Sequence, residues 1–134
     1  MQTIDHSHYQ QHPNSIHELA ITNAKPQAVL HYMDVMQSTA HRDPKCGMIL
    51  ILLDLRSAGR MPVAQLQHEI ARFNASRLTR PPSRTGVLYG HTAMLRPAIS
   101  TSRLLARPGL DEFKFFHGDQ RSNAMAWLLS FRCM

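Results

Sequence analysis

Three short segments hold the side chains with which this chain could do chemistry: Asp54, Arg56 and Ser57 in DLRS, Gly90, His91 and Thr92 in GHT, and His117, Gly118 and Asp119 in HGD. Asp54 with His91, or Asp54 with His117, is a carboxylate and imidazole combination able to move a proton near neutral pH. Thr92 and the amides after Gly90 would offer an anion the N-terminus of a helix, with Arg56 as a clamp for phosphate or carboxylate. Ser57 and Cys46 are the conceivable nucleophiles, yet no base stands at a fixed spacing from either and GxSxG is absent. A GxGxxG turn and a GxxxxGK phosphate loop are absent as well. The residue types therefore suit a binding rim better than a catalytic centre, and no catalytic residue, metal or cofactor is expected. The same residues also have structural uses: Asp54 paired with an arginine, Ser57 and Gly59 in a turn, Thr92 and Asp119 as helix caps.

The elements that must position these segments begin with GMILILLD, 47–54, an apolar run closed by a carboxylate. Its length and Ile/Leu content read as a central strand buried on both faces. The loop leaving it, DLRSAGRMP, carries Arg56, Ser57, Arg60 and Met61. A helix over 62–74 follows, with Val63, Leu66, Ile70 and Phe73 on one stripe. Pro81-Pro82 fits neither a helix interior nor a central strand and marks a loop. TGVLYG, 85–90, is the next strand, and His91-Thr92 leads into a helix through Leu95, Ile99 and Leu104 that Pro108-Gly109 stops. EFKFF, 112–116, alternates as a short strand. Asp119 is placed to cap a last helix with Ala124, Trp127 and Leu128 inward and Leu129 and Phe131 beside them.

Upstream, SIHELAIT, 15–22, reads as an edge strand, and Pro26 opens a helix with Val29, Leu30, Tyr32, Met33 and Met36 at helical spacing. Residues 1–14 carry His6, His8 and His12 among glutamines without apolar period, and read as a flexible lead-in to one domain over 15–134. His6 and His8 lack a supporting carboxylate or cysteine for a metal site. Alternating strands and helices predict an α/β fold: a mixed, largely parallel sheet of four to five strands with helices packed on it. In such sheets ligands gather at the carboxyl ends of the strands, where the three chemical segments lie.

With 134 residues the chain has the size of one domain, and neither a membrane span nor a secretory leader is recognisable, so a soluble, cytoplasmic protein is expected. Cys46 and Cys133 show no zinc or disulfide spacing. The net charge of +6 is uneven: residues 1–54 hold three basic and five acidic side chains, residues 55–134 twelve and four. Arg72, Arg77, Arg80, Arg84, Arg96, Arg103 and Arg107 make the second half attractive to anions. Aromatic residues are not interleaved with them as base stacking requires, so nucleic-acid binding is the weaker reading.

The run ILILLDLRSAGRMP before an amphipathic helix, TGVLYG before another, and the ending EFKFFHGDQRSNAMAWLL resemble SpoIIAA-like proteins of the STAS superfamily, relatives of anti-sigma-factor antagonists, over roughly 15–131. The resemblance implies a regulatory, non-catalytic module that binds a protein partner, or else an apolar or lipid-like ligand. It also implies an N-terminal pair of strands, of which SIHELAIT is the clear one. In the phosphorylated antagonists Met-Asp-Ser-Ser-Gly-Leu opens the helix after the strand ending in Asp-Leu. Here Met61-Pro62-Val63-Ala64-Gln65-Leu66 stands there, with Val63 and Ala64 at the phosphoacceptor positions and Ser57 the nearby hydroxyl. The expected partner surface is Asp54, Arg56, Ser57, Arg60, Met61, Gly90, His91, Thr92 and His117. The edge strand over 15–22 would further offer unpaired backbone to a second copy in a homodimer.

Overall fold

The computed structural model describes residues 7–21, 47–56, 68, 82–91, 95–96, 99–100, 103, 106 and 109–130. These build a five-stranded sheet, β1 (Ser7–Gln11), β2 (Ile16–Ile21), β3 (Ile49–Asp54), β4 (Ser83–Tyr89) and β5 (Asp111–His117), in the spatial order β1-β2-β3-β4-β5. β1 runs antiparallel to β2, and the pairs β2–β3, β3–β4 and β4–β5 are parallel. A short 3-10 turn (Gly118–Gln120) leads into helix α1 (Arg121–Leu129), which packs on the sheet. The chain is thus an α/β protein with a mixed, mostly parallel sheet. His68, Leu95, Arg96, Ile99, Ser100 and Arg103 have helical backbone, in the two segments where helices are expected.

β3 occupies the middle of the sheet because all six of its residues can be buried. Leu50 and Leu52 point to the face covered by α1, where they meet Ile16, Leu88, Phe116, Ala124 and Leu128. Ile49, Ile51 and Leu53 alternate to the opposite face, which is also buried and includes Leu19 and Val87 together with His17, Ser83 and Thr85. Ala124 and Leu128, one helical turn apart, are fully buried on the sheet side of α1, and Trp127 packs half-buried beside them. Leu129 turns outward and is 39% exposed.

Two expectations are corrected. The segment expected to be an edge strand, β2, is internal, with β1 on one side and β3 on the other. The second half of the expected flexible lead-in is β1 itself. A turn joins them: the His12 carbonyl accepts the Ser15 N–H at 3.1 Å, Asn14 Oδ1 accepts the Ile16 N–H at 3.3 Å, and Ser15 takes φ 71°. β1 escapes notice in the sequence because an edge strand meets the core on few positions, so SHYQQ needs no apolar alternation. The open edges of the described sheet are β1 and β5.

Candidate functional site

The carboxyl ends of β3, β4 and β5 lie side by side, since Asp54 is level with Leu88 and Leu88 with Phe116. At this rim Asp54 is 8% exposed. Burial alone would push its carboxyl pKa up, but hydrogen bonds and charge from Arg56, joined by the charge of Arg121, outweigh this and hold it below the ordinary carboxylate value. Arg56 grips the carboxylate three times: its backbone N–H donates to Oδ1 at 3.0 Å, Nε to Oδ1 at 2.9 Å and Nη2 to Oδ2 at 2.7 Å. The side-chain bonds to Asp54, with the charges of Asp54 and Glu18, raise the guanidinium pKa. The structural use foreseen for Asp54, pairing with an arginine, is the one observed.

Arg56 and its neighbour Leu55 tie the three exits together. Arg56 Nη1 donates to the Gly118 carbonyl at 3.4 Å, and Leu55 donates its N–H to the Leu88 carbonyl at 2.8 Å. Two glycines make room for Arg56. A Cβ at Gly90 would stand 2.9 Å from the Arg56 carbonyl oxygen, and one at Gly118 would stand 2.6 Å from Arg56 Cδ. The first obstacle is backbone and the second a side chain that can yield. Gly90→Ala is therefore expected to lower stability by about 1 kcal/mol through forced separation of the β3 and β4 exits, read as a shifted urea midpoint. Gly118→Ala is expected to displace the Arg56 stem instead.

The rim continues into a line of charge beneath the start of α1. Arg121, the first residue of α1, donates to Glu18 on β2, and Glu18 also holds His12 Nε2 at 2.7 Å. The charge of Glu18 reaches Arg56 as well. The order His12, Glu18, Arg121, Asp54, Arg56 thus alternates possible cation and anion across the sheet. Glu18 and Arg121 escape a reading of the sequence because 103 positions separate them. Their one sequence signal is charge within otherwise apolar-patterned segments.

His117 does not join this cluster. Phe116 lies on the α1 face with Asp54, so alternation sends His117 to the opposite face, where its ring meets Tyr89 edge-on at 5.6 Å. Its Nδ1 lies 2.8 Å from Asp119 Oδ1, and its N–H is accepted by the Gln120 side chain, a reciprocal cap on the 3-10 turn. Capping therefore falls to His117 and Gln120 and not to Asp119, which sits within the first turn. The Asp54 and His117 side chains leave opposite faces of the sheet, and the Asp54 carboxylate is already engaged by Arg56, so the acid–base combination of Asp54 with His117 is not assembled. His91 is exposed just past Gly90.

Of the expected surface, Asp54, Arg56, Gly90, His91 and His117 are placed at the strand exits. Ser57, Arg60, Met61 and Thr92 lie outside the described residues, as do Cys46 and Cys133. Among the described residues no cluster of His, Cys, Asp or Glu is arranged to hold a metal ion, and no helix is long and apolar enough to cross a membrane. No protein-family model, curated protein or solved structure matches this chain.

Proposed function

We propose that the chain is a non-catalytic, STAS-like regulatory module that binds a protein partner through the loops at the carboxyl ends of β3 and β4, around Arg56–Met61 and Gly90–Thr92. The observation that carries this reading is the state of Arg56. Its guanidinium is fixed by Asp54 and the Gly118 carbonyl, while 41% of its side chain stays exposed. A cation held in one geometry at a rigid rim loses little entropy on docking against an acidic surface. The consumption of Asp54 by Arg56 and the separation of Asp54 from His117 support a binding role over proton transfer. With Val63 and Ala64 at the phosphoacceptor positions of the resembled antagonists, binding here is not gated by serine phosphorylation at that point.

The test is recovery of a co-purifying protein by tagged full-length chain, comparing the natural sequence with Arg60→Glu and His91→Glu. Both variants are checked for native circular dichroism before recovery is compared. The negative charges introduced are expected to reduce recovery roughly tenfold, since rim charges steer association and repel a like-charged partner. Unchanged recovery from both variants would remove the rim from the interface.

A further inference from the structure

We infer that Arg56 and Arg121 together form a two-guanidinium seat for a carboxylate, the side chain of an aspartate or glutamate in an acidic segment of the partner; this rests on the rim being the partner surface proposed above. Arg121 lies outside the strand-end loops, and its place beside Arg56 follows from the sheet. Arg56 holds Asp54 on β3, and Arg121 holds Glu18 on β2. The register sets Glu18 level with Leu52, two residues before Asp54 and on the same face. The two carboxylates therefore stand one diagonal step apart on neighbouring strands, and the guanidiniums they hold are neighbours. A further contact agrees with this: Arg56 Nη1 donates to the Gly118 carbonyl at 3.4 Å, and Arg121 opens α1 three residues further on.

The four groups are layered. The carboxylates lie inside, with the Asp54 and Glu18 side chains 11% and 16% exposed, and the guanidiniums outside, with Arg56 and Arg121 41% and 39% exposed. Among the described residues Arg56 uses three side-chain N–H donors, two on Asp54 and one on Gly118, and Arg121 uses one, on Glu18. A guanidinium carries five, so both keep donors for a ligand. Each is already held by a buried carboxylate, and closing on a ligand therefore costs little side-chain entropy. Charge selects the ligand. Two arginines and two carboxylates sum to zero, and His12, on the other side of Glu18, adds a charge only when protonated. One added carboxylate leaves a single negative charge shared between two cations, whereas a phosphate dianion leaves two. A carboxylate is also planar, with two oxygens that match the guanidinium fork. The net charge of +6, concentrated after residue 54, draws an acidic segment toward this side of the chain.

The experiment is a titration of the isotope-labelled full-length chain with a hexaglutamate peptide at low salt, followed through the arginine Nε–H resonances, with a parallel titration by inorganic phosphate at matched ionic strength. Each variant is first checked for native circular dichroism. Hexaglutamate is expected to shift the Arg56 and Arg121 resonances of the natural chain. Arg121→Gln is expected to weaken binding roughly tenfold, the share of one charge-assisted contact, and Arg121→Lys by less, since lysine keeps the charge and the reach to Glu18 but loses the fork. Lys114→Gln removes an exposed cation that rests against the Phe116 and Trp127 rings on β5 and α1, and is expected to leave the affinity unchanged. No shift at either arginine overturns the proposal. So do equal losses from the Arg121 and Lys114 variants, or phosphate shifting the two arginines at a lower concentration per anionic group. Partner recovery that depends on Arg60 and His91 while hexaglutamate moves neither arginine would end the carboxylate seat alone. Hexaglutamate binding through Arg121, with recovery indifferent to Arg60 and His91, would keep the seat and end the loop surface.

Discussion

Leu52→Ala is expected to remove about 2–5 kcal/mol of folding stability, the largest effect of any substitution considered. Leu52 is fully buried in the middle of the central strand, on the face where α1 brings Ala124 and Leu128 against it and where Leu50, Leu88 and Phe116 complete the cluster. Truncation removes apolar surface from this contact and leaves a cavity, because β2 and β4 hold β3 on both sides and the sheet cannot collapse into the gap. A domain of this size has about 5–15 kcal/mol in total, so a large share would be lost. Urea unfolding checks the value. Leu129→Ala supplies the contrast: its side chain is 39% exposed at the end of α1, and a change within about 0.5 kcal/mol is expected. Comparable losses from the two would mean that α1 does not pack as described.

Arg56→Met is expected to cost about 2 kcal/mol at neutral pH and much less in acid. The full penalty for uncovering a buried charge is about 3–5 kcal/mol, and it is discounted here because the arginine side chain is 41% exposed and partly screened. Methionine keeps the stem that fills the space beside Gly118. In the natural protein the Asp54 carboxyl lies below its ordinary value, so its contribution is fully present above about pH 4 and is lost as pH falls through the folded value. In the variant the hydrogen bonds and the nearest charge are gone while burial remains, so the folded carboxyl moves up. The folded state then binds its proton more readily than the unfolded state does, and stability declines as pH rises from the ordinary value through the folded one. The two unfolding curves should converge as pH falls below the folded Asp54 value of the natural protein and separate toward neutrality. A gap independent of pH would assign the cost to lost packing, with no part in it for the Asp54 charge.

The parallel sheet places the exits of β3, β4 and β5 at one end, where Arg56 and Leu55 link them by hydrogen bonds.

The central strand was legible because six consecutive buried residues require six apolar or paired ones, and ILILLD has that composition. β4, β5 and α1 were legible for the same reason, their inward positions being apolar at the period of strand or helix. The strand-end rule likewise led from the sequence to Asp54, Gly90 and His117. β1 was not legible, because SHYQQ lies at an edge and carries no apolar alternation, and its pairing moved β2 from edge to interior. Nor could the partners of the charged groups be foreseen. Arg56 meets the Gly118 carbonyl across 62 positions and Arg121 meets Glu18 across 103, and no local spacing encodes such contacts. The assignment of Asp54 and His117 to opposite faces likewise needed the register of β3, β4 and β5, because a shift of one residue would have reversed it. The sequence by itself determined which segments enter the core, because burial is a property of composition and period. Tertiary structure decided which polar groups meet, because that depends on how strands far apart in the chain are ordered and aligned.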